Sequence, residues 1–243
     1  MTASFLNVGQ KGKFKLSDIK LRGYEEQFPD GTSSDFNFCR LTAGGSSQQD
    51  LGNSFYWEDL MDGNGGYWCD ADSVPVTKDN DYEFDAAEAV WFTSPAAEDE
   101  SFKFYFENAG QVATEDTTFD LRDDGNVIGN PFPYVIKLSD ITIDGYQKQY
   151  PDGTSSDFNF CRLTAGGSSQ QDLGNSFYWE DLMDGNGGYW CDADSVPVDK
   201  ENDYEIAIGE GLWFTAPAAE EDPDSDGKTY KFVLEFPAYV TGK

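Results

Sequence analysis

The chain has 243 residues and a formal net charge of −30, from 46 acidic against 16 basic side chains. A field of that sign repels nucleic-acid phosphates and anionic lipid headgroups, so neither nucleic-acid binding nor membrane insertion is expected. With 16% aromatic residues the chain is too rich in large rings for a disordered acidic polymer, and its length suits two modules that each bury a core.

In chain order, the opening "MTASFLNVGQKGKF" has no apolar core of a signal peptide and reads as a strand and a loop. "KLSDIKLRGYEEQF" follows, then the turn "PDGTSS" and the alternating strand "DFNFCRL". In "NSFYWEDL" the two-residue period puts Phe55 and Trp57 on one face and Tyr56 on the other. Next comes the Gly-rich reversal "MDGNGG", the segment "YWCDADSVPV" whose Pro75 excludes a central strand, and the short strands "DYEF", "AVWF" and "FKFYF".

The pattern then begins again. Residues 29–76 and 151–198 are the same 48-residue string, displaced by 122 positions. The flanks diverge but stay alignable: "KLSDITIDGYQKQY", "DYEIAI" and "GLWFTAPAAEE" match their earlier counterparts, and "YKFVLEFPAYV" matches "FKFYFENAGQV" after a six-residue insertion. Between the copies, "TTFDLRDDGNVIGNPFPYV" reads as one strand and a loop. Many short strands with Gly, Asn and Asp punctuation predict an all-β protein: two tandem antiparallel β-sandwich or barrel-like modules related by internal duplication, 1–112 and 113–243. Recent recombination explains the perfect block as well as a demand for two like surfaces does, so identity alone locates no site.

"GNPFPYVIKLSDI" at 129–141, "GEGLWF" at 209–214 and "AGQV" at 109–112 carry a resemblance to the tandem all-β repeat modules of bacterial cell-surface and secreted proteins. The first copy departs from it, with "VGQKGKFKLSDI" and "AAEAVWF" at the matching places. The resemblance implies a repetitive surface protein and names no ligand.

Cys39, Cys69, Cys161 and Cys191 give each copy one pair separated by 30 residues. A Cys39–Cys69 and a Cys161–Cys191 disulfide are expected, with an extracellular or cell-surface location, although buried free thiols or bridges between molecules fit the spacing too. Cations have two candidate sites. "DPDSDG" sets Asp222, Asp224 and Asp226 at the alternate spacing of a calcium loop, without its downstream Glu. The repeated turn offers Asp62, Asn64, Asp70 and Asp72, with Asp184, Asn186, Asp192 and Asp194, where an ordinary Asx-stabilised reversal is the competing reading. Calcium is therefore the one cofactor considered.

Trp57, Tyr67, Trp68, Trp179, Tyr189 and Trp190 are candidate glycan-stacking rings, with the core as their usual place. Histidine is absent from the sequence, which removes Ser-His and Cys-His dyads, and there is no phosphate-binding loop; no catalytic residue is expected. The leading expectation is a non-enzymatic extracellular structural protein that self-associates as the subunit of a fibre, sheath or surface layer. A glycan-binding adhesin and a virion or tail component are the alternatives.

Overall fold

In the computed structural model the chain is all-β, and no α-helix occurs among the described residues, which are 2–6, 12–42, 51–95, 103–108, 111–122, 124–164, 173–199, 201–218 and 230–235. The first repeat supplies β1 (Thr2–Leu6), β2 (Phe14–Lys15), β3 (Ile19–Arg22), β4 (Asn37–Leu41), β5 (Leu51–Glu58), β6 (Tyr67–Asp70), β7 (Glu83–Phe84), β8 (Val90–Ser94) and β9 (Tyr105–Asn108). After it come β10 (Thr117–Asp120), β11 (Asp124–Gly129), β12 (Ile136–Lys137), β13 (Ile141–Asp144), β14 (Asn159–Leu163), β15 (Leu173–Glu180), β16 (Tyr189–Asp192), β17 (Glu205–Ile206), β18 (Gly211–Ala216) and β19 (Lys231–Leu234).

Each repeat forms a five-stranded antiparallel sheet, β1-β8-β4-β5-β6 and β11-β18-β14-β15-β16, in which equivalent strands hold equivalent places. Small ladders β2-β7, β3-β9 and β12-β17 accompany them, with a three-stranded sheet β10-β19-β13. None of these sheets draws strands from both sides of residue 112.

Alternation decides which face is buried. Phe55 and Trp57 of β5 are 1% and 0% exposed, while Tyr56 between them is half-buried on the opposite face. Phe38, Trp68 and Phe84 complete an aromatic core in which the Trp57 and Trp68 rings meet edge-on at 5.1 Å; Trp179 and Trp190 repeat this at 5.2 Å. The "KLSDI" segments place Leu16 and Leu138, both 0% exposed, in a single 3₁₀ turn. Each turn is pinned by a distant Asp-Tyr pair, the one just before β7 in the first repeat: Leu16 N–H donates to the Tyr82 carbonyl at 3.0 Å, and Ser17 Oγ donates to Asp81 Oδ2 at 2.5 Å.

Val74–Val76 runs along the outer edge of β6, with Asp70 N–H to Val74 O at 3.0 Å and Val76 N–H to Trp68 O at 2.8 Å. Pro75 lies between these two contacts in a bridge to Cys69. A residue without an N–H is tolerated at a sheet border and closes that border to further pairing.

Two expectations are corrected. The connecting segment forms two strands, β10 and β11, rather than one. The last strand aligns differently from the letter match: Ile19 pairs with Asn108 and its equivalent Ile141 with Leu234, so Phe106 corresponds to Phe232 and Phe104 to Tyr230. Ring contacts agree, since Phe92–Phe106 at 4.8 Å repeats as Phe214–Phe232 at 5.1 Å. The insertion is therefore four residues. A two-residue shift keeps every side chain on its face, and so the sequence pattern alone does not reveal it.

Candidate functional site

The repeated block folds into an edge structure held by one buried carboxylate. Asp59, 5% exposed, accepts a 2.6 Å hydrogen bond from the Tyr24 hydroxyl and a 2.8 Å bond from Met61 N–H. Its backbone forms a bridge with Thr32, whose hydroxyl donates to Trp57 O at 3.1 Å. Burial, reinforced by the hydrogen bond to Asp59, pushes the Tyr24 phenol up to about 12. Tyr146, Thr154 and Asp181 repeat the arrangement, with a 2.6 Å Tyr146–Asp181 bond. Sequence reasoning missed these residues, because an Asp inside "WEDL" carries no local sign of burial.

The predicted Cys39–Cys69 and Cys161–Cys191 disulfides are contradicted. All four cysteines are free. Cys39 on β4 faces Ser54, and Cys69 on β6 faces Tyr56, so β5 stands between the two thiols. Two strand spacings are about 9.6 Å, beyond the roughly 7 Å Cα separation a disulfide spans. The same strand order separates Cys161 from Cys191. Burial pushes the Cys69 and Cys191 thiols up, and the neighbouring Glu58 and Glu180 carboxylates add to this. A raised thiol is the opposite of an activated nucleophile. Tyr67, bonded to Glu58 Oε2 at 2.7 Å, is pushed up to about 12, chiefly by that bond.

At the repeated turn the acidic side chains serve the backbone. Asp62 accepts from Asn64 N–H and Nδ2, both at 2.9 Å, and these donors hold its carboxyl below the ordinary range. Asp70 Oδ1 accepts from Asp72 N–H at 3.0 Å and Val74 N–H at 2.9 Å. Asp184 with Asn186, and Asp192 with Asp194 and Val196, repeat this. Among the described residues no three Cys, Asp or Glu side chains gather closely enough to hold a metal ion. Asp222, Asp224 and Asp226 lie outside the described residues.

The glycan-stacking arrangement is corrected for the tryptophans. Trp57, Trp68, Trp179 and Trp190 are all buried, and Trp68 Nε1 donates to Ile19 O at 2.9 Å, so none offers an open face. Only Tyr67 and Tyr189 are partly accessible, at the sheet border.

The least anticipated feature is the junction. β10 leaves the first repeat and pairs along β19, with Thr117 opposite Leu234 and Phe119 opposite Phe232. Further on, Ala89 N–H donates to Val127 O at 3.0 Å and Gly129 N–H to Ala87 O at 2.8 Å, so the loop before β8 covers the outer edge of β11. Leu41, Ala89 and Trp91 of the first repeat pack with Val127, Trp213 and Leu163 of the second. Trp91 and Trp213, like Leu41 and Leu163, hold equivalent places in the duplication, and so like surfaces cover one another. Glu88, bridged to Ile128 and 6% exposed, is neutralised by two Arg40 bonds of 2.8 and 2.9 Å. A buried carboxylate needs such a partner. Beside it runs a cleft of ≈ 590 Å³ with mixed charge, including Lys13, Arg40, Asp116, Asp120 and Arg122.

No family model matches the chain, and no match is found among curated proteins or solved structures.

Proposed function

We propose that the chain is a non-enzymatic structural protein, the repeat-module subunit of an extracellular fibre, sheath or surface layer. The observation that carries this reading is the junction between the modules: Ala89 N–H and the Ala87 carbonyl of the first bond to Val127 and Gly129 along the outer edge of β11, and like surfaces of the two modules are buried against each other. Strand addition is a means of linking successive domains through backbone hydrogen bonds, which any sequence of suitable pattern supplies. The raised Cys69 and Cys191 thiols speak against a thiolate nucleophile, which requires a lowered pKa. The free cysteines leave the extracellular setting resting on the resemblance and on the strongly acidic surface, which keeps crowded subunits soluble.

Because Trp91 and Trp213 already share one interface, propagation would use other surfaces, and open sheet edges are the natural ones. Negative-stain microscopy of source material, and of purified protein over rising protein and calcium concentration, tests the reading. Regular filaments or sheets are expected. Single monodisperse particles under every condition overturn it.

A further inference from the structure

The two repeats differ at one sheet edge. β19 is flanked by β13 on one side and β10 on the other, whereas β9, its equivalent, pairs with β3 alone among the described residues. The consequences are visible in the side chains. Phe232 is 0% exposed beneath Phe119 and Leu121, but its equivalent Phe106 is only half-buried. Phe106 borders a small, mainly apolar hollow walled by Phe14, Ile19, Phe38, Phe84 and Val90, with Glu88 as its one charged member. Asn108 stands where the second repeat has buried Leu234, and both polar atoms of its amide are buried without a partner.

We propose that the edge of β9 left unpaired among the described residues is a strand-acceptor site, taking an extended segment of a second polypeptide with the alternation that β10 presents to β19. The filled state of the second repeat sets the chemistry of the occupant. It runs antiparallel to β9, with an aromatic residue opposite Phe106 to cover the hollow, as Phe119 covers Phe232. A hydroxyl-bearing residue opposite Asn108, in the place of Thr117, satisfies the idle amide. Polar residues at the alternate positions face solvent beside Tyr105 and Glu107, as Thr118 and Asp120 do. Backbone pairing gives affinity and the aromatic gives selectivity. The inference rests on the assembly reading for its setting, yet strand capture does not require that the chain polymerise.

The test uses the full chain and a fluorescent peptide of residues 115–122, "EDTTFDLR", the natural complement of the second repeat. Saturable one-to-one binding is expected, with slowed amide hydrogen exchange at 105–108 and none at 231–234. A peptide with Phe119→Asp should bind at least about tenfold more weakly, because it forfeits the burial of one aromatic ring. Placing the change in the peptide leaves the folding of the chain untouched. Lack of saturable binding, or altered exchange at 231–234 instead of 105–108, overturns the proposal. Concentration-dependent self-association that protects 105–108 and resists the peptide also overturns it, by making a second copy the occupant. If the peptide binds as expected while microscopy shows only single particles, the acceptor site stands and the polymer reading falls.

Discussion

Phe119→Ala removes the ring that β10 places over the second repeat. The ring is 8% exposed and lies in one cluster with Phe232, Phe214 and Tyr230, so almost its whole surface leaves water on folding. Phe→Ala in a core costs about 3–5 kcal/mol; because β10 is a border strand whose surroundings can relax, the lower value of about 3 kcal/mol is expected. That corresponds to roughly a hundredfold in the unfolding equilibrium. Urea unfolding combined with native-state hydrogen exchange resolves where the loss falls. Protection at β13 and β19 should drop together, while β3 and β9 keep theirs, since β10 pairs with neither. A loss below about 1 kcal/mol, or an equal loss of protection in β3 and β9, would refute the view that the connecting strand belongs energetically to the second repeat.

Gly31 has φ +100°, and a Cβ there would lie 2.1 Å from the Asp59 carbonyl oxygen, whereas Gly63 has φ +87° with nothing within 4 Å. Gly31→Ala should therefore destabilise by at least about 2 kcal/mol more than Gly63→Ala in urea melts, because only the former adds displacement of the Thr32–Asp59 bridge to the cost of the left-handed backbone; equal effects would remove the clash argument. Tyr24→Phe takes a hydrogen bond from a buried carboxylate and should cost about 1.5–3 kcal/mol near neutral pH. Its pH dependence has a definite sign. The folded phenol keeps its proton up to about 12 and an unfolded one releases it near 10, so stability falls as pH rises through that window, and the variant should show a shallower fall.

The strands themselves were legible because alternation is a local property. Phe55 and Trp57 against Tyr56, and Pro75 at a border, follow from a two-residue period and a missing N–H. The competing fates of the repeated turn were also legible in outline, since Asp62 and Asp70 have backbone donors two residues away. The disulfides were misread because equal spacing in sequence says nothing about which strand is inserted between two others. Here β5 separates the thiols, and only the pairing order reveals it.

By itself the sequence determined an acidic, duplicated all-β chain with aromatic cores and without histidine. Tertiary structure alone decided that Asp59 is a buried fastening, that Trp57 and Trp68 are closed to ligands, and that β10 completes one repeat while the matching edge of β9 has no partner strand among the described residues. The physical reason is common to all three. Burial and edge pairing depend on what comes to lie beside a strand from elsewhere in the chain, and the 48-residue block, identical in both copies, carries no record of its neighbours.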